Sequence, residues 1–208
     1  MQNAEMIRDM RDTDYPRAFA VWRACFEDDE DYFRFFWEHG FPLCRGLCLE
    51  EDGQAVSMLF LLPGALGNPS ALGYRKTLLS AWYVYAVATL PAYRGRGYAS
   101  ELTCYAAALA KGEGLSALCL RPADEGLYGY YAKLGFVKAF ARQERPVRHG
   151  RFAWDAPMKE YLLRESEFTG RDMRPARELG GMVLPLDTQA EKWLRKTKGR
   201  AYMGPALE

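Results

Sequence analysis

Histidine is scarce in this chain: its 208 residues include two, His39 and His149. That is too few to furnish the mixed nitrogen and sulfur ligand set of a zinc centre. The five cysteines, at positions 25, 44, 48, 104 and 119, do not supply it either. Cys44 and Cys48 are the only close pair, and they lack the tight Cys-x-x-Cys spacing of metal or redox motifs. Cys104 and Cys119 lie in apolar elements and read as small core residues. No metal is expected, and the odd cysteine count fits a reducing compartment. A charge of one sign is also missing. Twenty-eight basic and 27 acidic residues leave a net +1, so no global field draws in nucleic acid or an anionic membrane. Long hydrophobic runs are absent too. The apolar stretch Val56–Leu62 is too short to span a bilayer and is followed at once by Pro63 and Gly64. Residues 1–9 carry charges where a secretion signal needs an apolar core. The expectation is a soluble, cytoplasmic protein with neither nucleic-acid nor membrane partners.

What is present is core-forming material. Hydrophobic residues make up 49% and aromatics 14% of the chain, enough for one domain, or one domain with an extension. Glu5–Met10 reads as a short strand. Thr13-Asp14 offers an N-cap to a helix running to about Phe26, with Pro16 in its first turn. An acidic loop, Glu27–Asp31, leads into an aromatic helix ended by Gly40 and Pro42. Five carboxylates there would favour a cationic substrate, but capping and charge-matching of the second helix is the favoured reading. Leu47–Glu50 and Val56–Leu62 read as a hairpin about the Asp52-Gly53 turn, and Gly64–Arg75 as a loop.

The organising stretch is 82–100. Trp82–Ala88, rich in β-branched, aromatic and small apolar residues, reads as a buried strand that Pro91 ends. Arg94, Gly95, Arg96 and Gly97 then form a turn, and Ala99, Leu102, Thr103, Ala106, Leu109 and Ala110 recur at helical spacing. A strand, a glycine turn and a helix leave several N–H groups and the positive end of the helix dipole facing one spot, where an anion such as a phosphate belongs. The glycines permit positive φ and close approach, and the arginines add cationic arms. An ordinary strand-to-helix turn with solvated arginines is the competing reading. Downstream, Leu115–Leu120 reads as a strand. Asp124 caps a short helix with Leu127, Tyr131 and Leu134 on one face, and a strand starts at Phe136.

Arg94-Gly-Arg-Gly-Tyr-Ala99 is similar to the Arg/Gln-x-x-Gly-x-Gly/Ala signature of the GCN5-related N-acetyltransferase (GNAT) family. Val87–Pro91 resembles the end of that family's fourth strand, and Tyr131-Ala-Lys-Leu-Gly-Phe136 resembles its Tyr-x-x-x-Gly-Phe block. The likeness spans roughly Glu5–Ala141. It implies an α+β fold with a mostly antiparallel mixed sheet flanked by helices. Residues 1–142 would form the core, and 143–208 an extension packed on it and walling an acceptor pocket. It also implies acetyl-CoA as cosubstrate. The amides of Arg94, Gly95, Arg96, Gly97, Tyr98 and Ala99 would grip the pyrophosphate, while the main chain of Val87, Ala88 and Thr89 lies along the pantetheine arm. The resemblance further implies that the cosubstrate enters where the fourth and fifth strands splay. That splay is not itself legible in the residues.

Transfer to an amine needs a neutral nucleophile, a donor to the carbonyl oxygen and a proton for the departing thiolate. A phenol of pKa near ~10 can protonate a thiolate whose acid lies near ~8.5. The resemblance places that role on Tyr131, with Tyr128 and Tyr130 as substitutes. It gives the carbonyl to the N–H of Ala88 or Thr89. The strand lacks the carboxylate base that some members carry, so deprotonation is expected through water or a group outside the matched region. The extension reads as a basic connector from Arg142 to Arg151, a helix started by Asp155-Ala-Pro157 and a strand within Gly180–Leu186. A last helix capped by Asp187 and Thr188 runs to about Lys198, with Gly199 behind it and cations through Arg200. Two other readings remain: an acyl-CoA sensor without turnover, and a dinucleotide oxidoreductase. The second is disfavoured because Ser100 replaces the third glycine and Arg121 stands where an acid is expected. The amine is a small molecule or a peptide. Dimerisation is common in such folds, and the residues carry no test of it.

Overall fold

The computed structural model describes residues 6–67, 78–140, 151–170, 180–197 and 201–203. The expected connector 142–150, the end of the last helix (Lys198, Gly199, Arg200) and residues 68–75 of the expected loop lie outside the described residues.

The described strands form one mixed sheet in the order β1 (Met6–Asp9), β2 (Arg45–Glu51), β3 (Gln54–Gly67), β4 (Leu78–Thr89), β5 (Ala117–Leu120), β8 (Met182–Pro185) and β6 (Val137–Lys138). Beside β3, β7 (Arg151–Trp154) takes up the edge that β2 leaves, and β9 (Tyr202–Met203) pairs with β7. Strand pairings are antiparallel except β4 with β5 and β7 with β9. Helices α1 (Tyr15–Cys25), α2 (Glu30–His39), α5 (Ala156–Thr169) and α6 (Thr188–Thr197) cover one face, while α3 (Tyr98–Gly112) and α4 (Leu127–Lys133) cover the other. β3 shows why its sequence reads as an unbroken apolar run: Met58, Phe60 and Leu62 point into the first layer, and Val56, Leu59 and Leu61 into the second. Among the described residues no helix is long and apolar enough to cross a membrane.

Three local expectations are corrected. Gly64–Gly67 is strand, not loop. The pairing of β2 ends at Leu61 and that of β7 begins at Gly64, so Pro63 falls in the gap between two neighbours, where its missing N–H costs no ladder bond. Gly64 has no room for a side chain, because any Cβ would collide with the ring of Phe152. Asp14 occupies the N-cap position of α1 without capping it. Its carboxylate instead takes Arg8 at 2.7 and 2.8 Å and the Arg11 N–H at 2.8 Å. Cys104 is exposed rather than in the core, whereas Cys119 is buried as expected.

The other caps form as expected. Asp29 accepts from the Tyr32 N–H at 2.8 Å, Asp155 from Met158 at 2.9 Å and Asp187 from Ala190 at 2.7 Å. In the acidic loop, then, Asp29 caps the second helix. The extension is woven into the sheet: β8 separates β5 from β6, while α5 packs against α2 through stacked Phe35 and Phe168 rings 4.5 Å apart.

Candidate functional site

The site begins where β4 and β5 part. Their parallel ladder pairs Ala81 with Ala117, Trp82 with Leu118 and Tyr83 with Cys119, and goes no further. β4 continues to Thr89 along β3, so from Val84 onward its other edge faces no strand among the described residues. A bulge accompanies the parting. Phe60 pairs with Tyr85 but Met58 with Ala88, which leaves one extra residue in β4, and Ala86 adopts φ 49°. A bulge bends its strand, increases the local twist and re-aims the residues beyond it. It carries Val87, Ala88 and Thr89 along the open edge. The Leu90 N–H donates to Val56 O at 2.9 Å, while Thr89 O accepts instead from Arg94 Nε at 3.1 Å and Cys25 Sγ at 3.3 Å.

Beyond Thr89, a single 3-10 turn at Pro91–Tyr93 leads into the glycine turn and α3. Gly95 (φ 80°) and Gly97 (φ 92°) are both left-handed, and a Cβ on either would meet nothing within 4 Å. Glycine is therefore required here by the backbone's sign rather than by crowding, and the space over the turn is open. Gly97 caps α3 without a side chain, and the first ladder bond there is Glu101 N–H to Gly97 O at 2.9 Å. The amides of Ala99 and Ser100 precede that bond, in the turn where helical N–H groups have no acceptor within their own helix. With the dipole of a 15-residue helix behind them, they face an anion-attracting space.

The arginines act otherwise than as loose arms. Arg94 lies back on Thr89 O, tying the turn to the strand end. Arg96 grips Glu51 at 3.0 and 3.1 Å and lies over the Tyr93 ring at 4.9 Å, while the Tyr98 hydroxyl also donates to Glu51, at 2.7 Å. Glu51 of the β2–β3 hairpin thus anchors the turn, a partner that sequence spacing gave no sign of.

Tyr131 sits on α4, 7% exposed, edge-on to Tyr130 at 5.0 Å and to Phe136 at 5.7 Å. Its hydroxyl makes no hydrogen bond to a described residue. Burial pushes the phenol above its ordinary value, and the nearby phenols of Tyr130 and Tyr83 add to the rise, so it stays protonated at neutral pH. Tyr83, the last β4 residue of the ladder to β5, belongs to the opposite layer. The substitutes are otherwise engaged: Tyr128 donates to Gly180 O, and Tyr130 shares a 3.0 Å hydrogen bond with Ser100 at the start of α3.

Sequence reasoning missed a second group of polar side chains. On the α2/α5 face, the Tyr32 hydroxyl donates to Glu165 Oε1 at 2.9 Å and lies 3.1 Å from the Tyr85 hydroxyl. Tyr85 is the residue immediately before the Ala86 bulge. The only signal in the chain was negative: β4 carries no carboxylate, and this one comes from α5.

No curated protein matches the chain by sequence. Solved structures match by shape. One is a GNAT family N-acetyltransferase from Escherichia coli in complex with CoA, 19% identical, covering 98% of this chain and 89% of that one at TM-score 0.62. A GNAT family acetyltransferase from Brucella melitensis in complex with acetyl-CoA is 23% identical, covering 76% and 99% at 0.54. A protein from Enterococcus faecalis is 17% identical, covering 67% of this chain, which spans only 33% of that one, at 0.55. At these identities the likeness is one of fold. The model of the acetyltransferase (GNAT) domain matches residues 6–139, and the chain belongs to that family.

Proposed function

We propose that the protein transfers an acetyl group from acetyl-CoA to a primary amine of a small molecule or peptide. The observation that carries this reading is the continuity of one path. β4 loses its neighbour after Tyr83, runs open to Thr89, and delivers the chain into an uncrowded glycine turn at the head of α3. An extended thioester-bearing arm fits along the open edge, with its diphosphate at the turn amides of residues 94–99.

Along β4, N–H groups alternate in direction. The Leu90 N–H is turned to β3, so that of Thr89 is directed to the open edge, and Thr89 is the better donor to the thioester oxygen than Ala88. The amine nitrogen attacks the carbonyl carbon, forming the C–N bond as the C–S bond breaks. The sulfur takes the Tyr131 proton, and the phenol recovers one from nitrogen. Tyr131 is suited to the task because it is protonated and holds no competing hydrogen bond to a described residue.

Isothermal titration with CoA, paired with thiol release from acetyl-CoA over a panel of a polyamine, an aminoglycoside, free amino acids and a peptide with a free N-terminus, tests the reading. Binding with release for at least one amine is expected. Absence of CoA binding overturns the site. Binding without release for any amine favours the acyl-CoA sensor instead.

A further inference from the structure

We propose that Tyr85, Tyr32 and Glu165 form the acceptor end of the site. In this arrangement Tyr85 meets a cationic amine, and the Tyr32–Glu165 pair draws off its proton. The inference rests on the acetyl-transfer reading above and supplies the base that the strand itself lacks.

The hydrogen-bond directions are set by the chemistry of the end group. A carboxylate only accepts, so the hydroxyl hydrogen of Tyr32 is committed to Glu165 Oε1 at 2.9 Å. The 3.1 Å contact between the phenols must then have Tyr85 as donor. The lone pairs left on the Tyr85 oxygen can accept from an N–H. Tyr85 lies two residues past the last β4–β5 pair and beside the bulge, where an amine approaching a thioester on the open edge would arrive. All three groups are held: Tyr85 packs on Trp22 and Phe36, and Tyr32 is 5% exposed. Glu165 is half-buried, so its outer side reaches solvent.

Among the described residues, the charge that bears most on the cluster is anionic. The titratable groups of those residues that bear on it include Tyr83 and Tyr85 of β4, Asp28 of the α1–α2 link, Tyr32 of α2, Cys44, and Tyr161 and Glu165 of α5. The charged ones, Asp28 and Glu165, are both anionic, which favours an ammonium over a neutral or anionic acceptor. The Tyr161 hydroxyl, also within the influence of Glu165 and Tyr85, is buried with no hydrogen-bond partner among the described residues. It is a further hydroxyl donor on the same face of the sheet.

The proton balance closes. An acceptor arriving as R–NH3⁺ passes one proton to the Tyr85 oxygen as Tyr85 passes its own to Tyr32, and Tyr32 its own to Glu165. Both phenols end neutral, as burial requires of them, and Glu165 releases the proton to water. The second proton lost by nitrogen replaces the one that Tyr131 gives to sulfur. The products are R–NH–CO–CH3, the free thiol of CoA and one hydronium.

The test is Glu165→Gln, which keeps an oxygen for Tyr32 but cannot take a proton. With any amine that the wild type acetylates, kcat/KM should fall about 10²-fold, with CoA affinity unchanged and the acid limb of the pH–rate profile lost. Glu165→Asp should recover part of the rate. Unchanged kcat/KM with the acid limb intact overturns the relay. A second arm needs no turnover: in CoA-loaded protein, the ring carbon signals of Tyr85 should move on titration with n-butylammonium in the wild type and stay still in Glu165→Gln. Signals that do not move in the wild type overturn the site. Failure of CoA to bind at all overturns the acetyl-transfer reading, a separate result.

Discussion

Tyr83 stands opposite Cys119 as the last pair of the parallel ladder between β4 and β5. Just beyond it along β4 come Tyr85, the bulge at Ala86 and the open edge to Thr89, and Tyr131 of α4 belongs to the other layer of the sandwich. The two halves of the proposed reaction are thus reached from opposite faces of one sheet, with the proton donor on the α4 side and the amine on the α2/α5 side.

Gly97→Ala should weaken CoA by about tenfold or more in isothermal titration, a loss of about 1.4 kcal/mol. The new methyl meets no protein atom, so it projects into the space assigned to the diphosphate, and the left-handed backbone adds a cost of about 1–2 kcal/mol. Full CoA affinity in a folded Gly97→Ala protein would remove the turn from the site.

Ala86 carries φ 49° inside a strand. Ala86→Gly should therefore raise stability by up to about 1 kcal/mol, while Ala86→Val should lower it by more than that. Urea midpoints of the two variants against wild type check both signs. A stable Ala86→Val protein that still binds CoA would mean that the bulge is not needed to hold the edge open.

Tyr131→Phe should reduce kcat at least tenfold with little change in melting temperature. The hydroxyl makes no hydrogen bond to a described residue, whereas the ring is packed against Phe136. Its phenol is held above the ordinary value by burial. It remains protonated below pH ~10, so an alkaline fall in rate beginning nearer neutrality would have to come from another group.

Asp14 is held below its ordinary carboxylate value of 3.8, chiefly by hydrogen bonds from Arg8. A depressed carboxyl stabilises the fold above the unfolded value and loses that contribution as pH falls through the folded one. Wild-type stability should therefore decline below pH ~4. Asp14→Asn should cost about 2 kcal/mol at pH 7 and flatten that decline, read by urea unfolding at pH 7 and pH 3.

Cys104, exposed on α3, should react first with a thiol reagent at neutral pH. Burial raises the thiols of Cys44 and Cys119 and pushes Cys48 up to about 11, so they should react only on unfolding. Mass spectrometry after brief alkylation distinguishes them.

The parts legible in the chain were those written locally. Gly95 and Gly97, Asp29 before its helix, and Asp155 before Pro157 each act on neighbours a few residues away. What escaped was decided by packing. The bulge at Ala86 is invisible in a run of small apolar residues, because period-two reading treats Trp82–Ala88 as uniform. Pro63 looked like a strand end because nothing in sequence marks the gap between β2 and β7. Cys104 looked internal because α3 is apolar on more than its buried stripe. Glu165 had no meaning until α5 brought it to Tyr32, and Arg96 looked like a phosphate arm until Glu51 claimed it.

The insertion of Met182–Pro185 between strands that end at Leu120 and Lys138 has a bearing on biogenesis. A nascent chain that has not yet reached Met182 presents two raw ladder edges, inviting aggregation or chaperone capture. Closure of the sheet must wait until Pro185 has left the ribosome. Chains stopped at Gly150 should accumulate as insoluble or degraded material rather than as a trimmed, folded protein.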